Sequence, residues 1–291
     1  MTTLYHRVRF IGTLCVLGMT FLSQGDSVHA QQRNYLSTEE VVAIGVGSTV
    51  AGYAGWRINH IDSSKKPLIN GLLPLDGTME RLIAGSHPEP GQSNFLDNNF
   101  GSVITPVVGT AALLFANLAW PQDEPTKDAF QDLFLYGSGL FGNKGLNDAV
   151  KGWVARPRPY VRAEASTDVK RSHSSWTYDH NSFWSGHTSS TFFVSTFVDK
   201  RLHTIMRSRM SPGQYDDWKW VSSVVLYGWA SFVGLSRVHA LKHHFSDILV
   251  GAVAGILVAE LYYGFGEKKP KGASGSSPAP APPMVTFRFN F

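Results

Sequence analysis

The sequence predicts an all-α protein, a bundle of about six helices, and three observations carry that prediction. Between residues 37 and 266 the apolar residues gather in runs of helix length, and several begin at hydroxyl, acidic or proline residues that start helices. Glycines recur inside these runs at spacings that let helices approach closely. Strict alternation of apolar and polar residues, the mark of a half-buried strand, is confined to the C-terminal end of the chain.

The 291 residues suffice for one large domain or two small ones. A 43% hydrophobic and 16% charged composition describes a folded chain that leans towards membranes. The net charge of +4 is mild and forms no dense basic face, which argues against nucleic acid as a partner.

Residues 1–30 read as an export signal. Arg7 and Arg9 form its basic start, Phe10 to Leu22 its apolar core, and Val28-His29-Ala30 a small-residue cleavage site. The apolar run is short for a bilayer span, and an uncleaved anchor is the alternative. Cys15, the sole cysteine, lies inside this segment behind the bulky Leu14, which argues against lipidation. The mature chain is then expected to hold no disulfide and no thiolate metal site.

The chain from residue 31 to residue 266 reads as one helical domain. Ser37-Thr38-Glu39-Glu40 is a capping box opening a helix over Val41 to Trp56, with Gly45, Gly47, Gly52 and Gly55 as packing sites. Residues 59–98 are irregular and hold Pro67, Pro74, Pro88 and Pro90. Within them Asp76-Gly77-Thr78 begins a short helix through Met79 to Ala84, to which no chemistry is assigned. Phe100 to Trp120 carries no charge and is interrupted by Pro106. It is long enough to cross a bilayer and equally suits a buried central helix. Pro125 stands near the start of a long helix, Lys127 to Trp153, in which Asp132, Lys144 and Asp148 break any lipid-facing run.

Tyr160 to Ser182 is a polar loop with Arg162, Lys170, Arg171, His173, Trp176 and Tyr178, either a substrate-selecting lid or a solvated connection. An apolar helix, Phe192 to Val198, follows, then a polar connection over residues 201–217 with Pro212-Gly213. Trp218 to Leu235 and Asp247 to Phe265 are the last helices, the second with Gly251 and Gly255 on one face. Residues 267–283 are a Lys-, Gly-, Ser-, Pro- and Ala-rich linker. The final residues place Val285, Phe287, Phe289 and Phe291 on one side of a strand. That pattern resembles the terminal strand by which outer-membrane proteins are recognised, so it pairs with another chain or packs on its own domain.

Three stretches carry candidate chemistry. In Lys151-Gly152-Trp153-Val154-Ala155-Arg156-Pro157-Arg158-Pro159, the two prolines fix the backbone around Arg158. A rigid guanidinium suits bidentate phosphate recognition, and Lys151 adds a point charge. The plain alternative is a basic helix end complementing the dipole. In Phe183-Trp184-Ser185-Gly186-His187-Thr188-Ser189-Ser190-Thr191, a glycine among hydroxyl residues opens a helix whose free N–H groups suit an anion, with His187 beside them. An ordinary N-cap with an incidental histidine is the alternative. In Ser236-Arg237-Val238-His239-Ala240-Leu241-Lys242-His243-His244-Phe245-Ser246-Asp247, His243 and Asp247 stand four apart. On one helix face the carboxylate would hold one ring nitrogen of His243 and leave the other bare. His239, His243 and His244 also suggest zinc, but no nearby cysteine or closing acidic ligand supports it.

In this order, Lys-x6-Arg-Pro, Ser-Gly-His and Ser-Arg-x5-His-x3-Asp resemble the type 2 phosphatidic acid phosphatase and vanadium haloperoxidase superfamily. The resemblance covers roughly residues 128–261, and Gly234 to Asp247 looks most like its lipid phosphate phosphatase branch. The family usually has proline before Ser-Gly-His, where this chain has Trp184, while every charged motif residue is intact.

The resemblance implies a site at the ends of the central four helices. Lys151, Arg158 and Arg237 would neutralise the phosphate oxygens, and Ser185 and the Gly186 N–H would donate further bonds. His243, oriented by Asp247, would attack phosphorus, and His187 would act as acid and then base. It implies no metal or cofactor, with vanadate an inhibitor. The expected activity is an exported phosphatase acting on lipid or isoprenoid mono- or diphosphates at a membrane surface or bilayer in the periplasm or cell envelope. The alternatives are a secreted non-specific acid phosphatase on soluble phosphoesters, a haloperoxidase holding vanadate as cofactor on His243, and a non-catalytic envelope protein.

Overall fold

The computed structural model describes residues 35–60, 66–85, 99–119, 125–165 and 179–267. The segments expected to be an export signal, a C-terminal linker and a terminal strand, and the middle of the Tyr160 to Ser182 segment, lie outside the described residues.

Six long helices and two short ones make up the described chain. They are α1 Thr38–His60, α2 Asp76–Ala84, α3 Thr105–Ala119, α4 Pro125–Val154, α5 Pro159–Ala165, α6 Gly186–Arg209, α7 Pro212–His239 and α8 Phe245–Phe265. A π-helical turn, Phe100–Ile104, leads into α3. The fold is all-α, as the apolar runs predict.

Local signals account for the helix starts. Ser37 and Glu40 bond each other's backbone N–H groups at the head of α1, at 3.2 and 2.8 Å. Ser211 and Gln214 form the same box on α7, with Pro212 in the first turn, where its missing N–H costs nothing. α4 stops where Ala155 turns left-handed at φ 50°, and the prolines behind it prevent resumption.

The core lies between α3, α4, α6 and α8, where Leu113, Leu135, Tyr136, Phe193, Phe197 and Tyr263 pack together. Each such side chain contributes about 1.5–3 kcal/mol when fully buried. A smaller cluster of Met79, Val238, Phe245 and Ile248 ties α2 to the ends of α7 and α8. α1 lies along α4 at backbone contact, because a β-carbon on Gly55 would run into the carbonyl of Gly145. Gly251 and Gly255 likewise admit the backbone of Ser185 and Ser189, the close packing predicted for α8.

Two expectations about connections are corrected. Tyr160 to Ala165 is helical, since Pro159 supplies a ready-made first turn. Residues 201–209 continue α6 rather than forming a polar link. Arg201 is fully buried, with its Nε 2.9 Å from Asp132 Oδ2 and a further bond to Asn117. A paired charge inside the bundle mimics a loop signal when only polarity is read.

Much apolar surface remains outside the core. Val107, Val108, Phe115 and Leu118 on α3, Val225 and Phe232 on α7, and Val253, Leu257 and Leu261 on α8 are exposed. Segments Phe100–Ala119, Pro212–His239 and Phe245–Phe265 are long and apolar enough to cross a membrane, and less than half of each is buried. So broad an apolar surface suits lipid better than water.

Candidate active site

The three motif stretches meet at one end of the bundle, where α4 and α7 finish and α6 and α8 begin. Backbone hydrogen bonds stitch them together. Arg158 N–H donates to Asp179 O at 2.8 Å, Tyr160 N–H to Leu241 O at 3.2 Å, and Ser185 N–H to Asp247 O at 3.1 Å. The N–H groups of Lys242 and His243 both donate to the carbonyl of Arg237, at 3.0 and 3.3 Å. The intervening turn passes through Leu241 at a left-handed φ of 54°. The chain that leaves α7 is thereby folded back onto the last turn of that helix.

Ser185 caps α6. Its Oγ accepts from the Thr188 N–H and, at 2.9 Å, from the Thr188 hydroxyl, so its own O–H remains a donor. Gly186 and His187 occupy the first turn, where backbone N–H groups lack helical acceptors. A β-carbon on Gly186 would lie 3.4 Å from Lys151 Nζ, which puts that ammonium beside the anion-accepting turn. His187 packs against Gly101 of the π-helical turn, where a β-carbon would overlap its ring. Asn147, one helical turn before Lys151, donates from Nδ2 to the carbonyl of Trp184 at 2.9 Å. Trp184 is buried there, and its backbone accepts the bond that locks the turn.

The expected helical pairing of His243 with Asp247 is not what holds the imidazole. α8 begins at Phe245, so His243 lies in the preceding turn and shares no helix face with Asp247. Its Nδ1 is 2.7 Å from the backbone carbonyl of Ser182 and 3.9 Å from Asp247 Oδ2. A carbonyl only accepts, so Nδ1 carries the proton and Nε2 is the bare nitrogen. Asp247 acts on the frame around the ring. Its carboxylate accepts from Arg156 at 2.6 Å, from the Ser182 hydroxyl at 2.5 Å and from His244 N–H at 2.9 Å.

His244 is distinguished from its neighbour by its contacts. Its Nδ1 is 2.5 Å from Glu80 and its Nε2 is 3.1 Å from the carbonyl of Pro157, so both ring nitrogens are engaged. No hydrogen bond to a described residue engages Nε2 of His243.

Burial and fixed charge tune the site. Burial first, then the charges of Arg158 and Lys151, hold His243 well below the ordinary histidine value and keep the ring neutral. Lys151 is only partly buried as a residue, but its ammonium is enclosed by protein atoms. Burial first, then Arg158, pull it down to about 7. Arg158 is buried and donates from Nη1 to Lys242 O at 3.4 Å, and Arg237 is buried at the end of α7. The arrangement offers a neutral imidazole, clustered cations and the first-turn N–H groups of a helix.

Sequence reading missed Asn147, Arg156, Ser182, Asp76 and Glu80. Asn147 was discoverable, being a polar residue four before Lys151 in a helical run. Arg156 was visible inside its own motif, but nothing local separated it from Arg158. The structure does so, since both ends of the Arg156 guanidinium are occupied by Asp76 and Asp247. Residues 59–98, to which no chemistry was assigned, thus supply Asp76 and Glu80 to the site's support.

The chain is similar to phospholipid phosphatase 1 of Rattus norvegicus, at 30% identity over 147 residues, 44% of this chain and 49% of that protein. It is also similar to a probable diacylglycerol pyrophosphate phosphatase 1 of Schizosaccharomyces pombe, at 32% identity over 172 residues, 46% of this chain and 60% of that protein. The chain thus spans about half the length of these curated relatives. A crystal structure of a transmembrane PAP2 type phosphatidylglycerolphosphate phosphatase from Bacillus subtilis aligns with a TM-score of 0.42 at 18% identity, covering 77% of this chain and 94% of that one. The sequence model of the PAP2 superfamily matches residues 132–271, a span that holds all three motif stretches. Residues 132–271 of this chain are a PAP2 superfamily domain.

Proposed function

We propose that the protein is a metal-independent phosphatase that hydrolyses phosphate or diphosphate esters of lipids or isoprenoids through a phosphohistidine. The observation that carries the reading is His243, whose Nδ1 bond to the Ser182 carbonyl leaves a neutral Nε2 beside Lys151 and Arg158. In the first step Nε2 attacks phosphorus, the ester P–O bond breaks, and His187 gives a proton to the leaving alkoxide. In the second, His187 takes a proton from water, the water oxygen attacks phosphorus, and the N–P bond breaks to release inorganic phosphate. Lys151, Arg158, Arg237, the Ser185 hydroxyl and the Gly186 N–H hold the equatorial oxygens while charge shifts between them.

The lipid substrate class is supported by the three helices long and apolar enough to cross a membrane and by the phosphatases to which the chain is similar. A bilayer would bring the phosphate of an embedded ester to the helix ends. The test is phosphate release from long-chain lipid and isoprenyl phosphates and from soluble phosphoesters, with the full chain in detergent or vesicles. Turnover should favour the lipid esters, survive EDTA, fall with vanadate as a mimic of five-coordinate phosphorus, and vanish in His243→Ala. Loss of turnover on chelation, restored by Mg²⁺, would refute the mechanism. Bromide oxidation driven by vanadate and peroxide, without phosphate release, would refute the activity.

A further inference from the structure

Asp76 and Glu80 lie outside the matched family region, residues 132–271, yet both are buried against the turn that carries His243. Asp76 is fully buried and uses both oxygens. Oδ1 accepts from the Ser246 N–H at 2.8 Å, which caps the first turn of α8 from a residue 170 positions away. Oδ2 accepts from Arg156 at 2.7 Å, from Leu73 N–H at 2.9 Å and from the Ser246 hydroxyl at 3.0 Å.

Arg156 is fully buried too, and its fork is held at both ends. Nη2 donates to Asp76 and, at 2.9 Å, to the Gly71 carbonyl. Nη1 donates to Asp247 at 2.6 Å and to Ser246 Oγ at 2.8 Å. A planar guanidinium gripped this way has one orientation, which an ammonium cannot reproduce. Asp247 in turn accepts the Ser182 hydroxyl, and the Ser182 carbonyl accepts Nδ1–H of His243. The contacts form one line from α2 to the reacting ring.

We propose that Asp76 and Arg156 are positioning residues for His243. Asp76 fixes Arg156, Arg156 fixes Asp247, and Asp247 through Ser182 fixes the tautomer and direction of the imidazole. The inference rests on His243 as nucleophile. Neither Asp76 nor Arg156 touches substrate, so the effect should fall on the chemical step. In Asp76→Asn an amide NH₂ must face either the Ser246 N–H or the three donors on Oδ2, and no rotation avoids a donor facing a donor. Relaxation of Arg156 then moves the ring, and misplacement by about 1 Å can slow a reaction about 10²-fold.

The experiment compares the full chain with Asp76→Asn, Arg156→Lys and the double variant. Each single variant should lose kcat by about 30- to 100-fold with KM within about twofold. The double variant should be no slower than Arg156→Lys, because the two residues act in series. Asp199→Asn is the stability control. Asp199 accepts the hydroxyls of Ser222 and Ser223, at 2.6 and 2.8 Å, about 20 Å along α6 from Gly186. It should lower Tm and leave kcat within about twofold.

Wild-type kcat in Asp76→Asn, a loss that tracks Tm as in Asp199→Asn, or multiplicative losses in the double variant would each overturn the proposal. If Asp76→Asn does not fold, Ser246→Ala removes only the hydroxyl between Asp76 and Arg156. It should slow kcat about tenfold at unchanged KM, and an unchanged kcat overturns the proposal. Ring-nitrogen NMR of His243 separates this inference from the proposed function. The wild type should show the proton on Nδ1, and Asp76→Asn (or Ser246→Ala) a mixture of tautomers. A wild type that releases no phosphate refutes the function, while an unchanged tautomer in the variant refutes the positioning role.

Discussion

Replacing Lys151 by methionine removes an ammonium that the fold encloses beside Arg158. Burial and that neighbouring guanidinium bring Lys151 from an ordinary 10.5 to about 7, so its charge is lost as the pH rises through neutrality. The free enzyme should therefore lose kcat/KM about tenfold for each pH unit above about 7. Para-nitrophenyl phosphate isolates the effect, since its leaving group needs no proton from His187 and kcat/KM ends at phosphohistidine formation. In kcat the same limb should move to higher pH, because a bound phosphate dianion favours the charged ammonium.

Lys151→Met should lower kcat/KM by about 10²-fold at about pH 6, the scale of one lost charge-stabilising donor, and erase the limb near 7. It should also change the pH dependence of stability. The folded value lies below the unfolded one, so between about 7 and 10.5 the unfolded chain binds more protons and wild-type stability rises with pH. Below about 7 the fold carries the full penalty of a buried charge, at most about 5 kcal/mol, which the methionine variant escapes. Parallel kcat/KM profiles and thermal unfolding from about pH 5 to 9 measure both. A limb near 7 that persists in Lys151→Met, or a wild-type profile flat to about pH 9, would refute the reasoning.

The remaining predictions concern the second histidine and the helix contacts. His187→Ala, given para-nitrophenyl phosphate, should accumulate an acid-labile, base-stable phosphohistidine in rapid quench, because the water-activating base is missing. No accumulation would place the base elsewhere. Gly55→Ala drives a methyl into the Gly145 carbonyl and should cost about 1–3 kcal/mol, seen as a lower Tm in detergent. Tyr262→Phe removes the 2.7 Å hydroxyl contact with Ser48 that joins α8 to α1 and should cost about 1 kcal/mol in the same assay.

Residue chemistry and spacing determined a good deal by themselves. The capping box at Ser37, the stop after Val154, the helix opened at Ser185 and the close-packing glycines of α8 depend on residues within a few positions of one another. Local backbone sterics and nearby hydrogen bonds act the same way wherever the segment is placed. The cations, hydroxyls and histidines of the motifs were legible for the same reason, since their chemistry belongs to the side chain.

What tertiary structure alone decided was who meets whom. Spacing of four between His243 and Asp247 suggested a helical pair, but the chain turns through Leu241 and begins α8 two residues after His243. The partner of Nδ1 became a carbonyl 61 residues upstream, and the partners of Asp247 became Arg156 and Ser182. Arg201 looked like part of a polar connection until Asp132 stood beside it in the core. Asp76 gave no local hint of its role, because the Ser246 N–H it satisfies lies 170 residues away. A buried polar group must find a partner wherever the packed chain provides one, and sequence distance does not enter that energy.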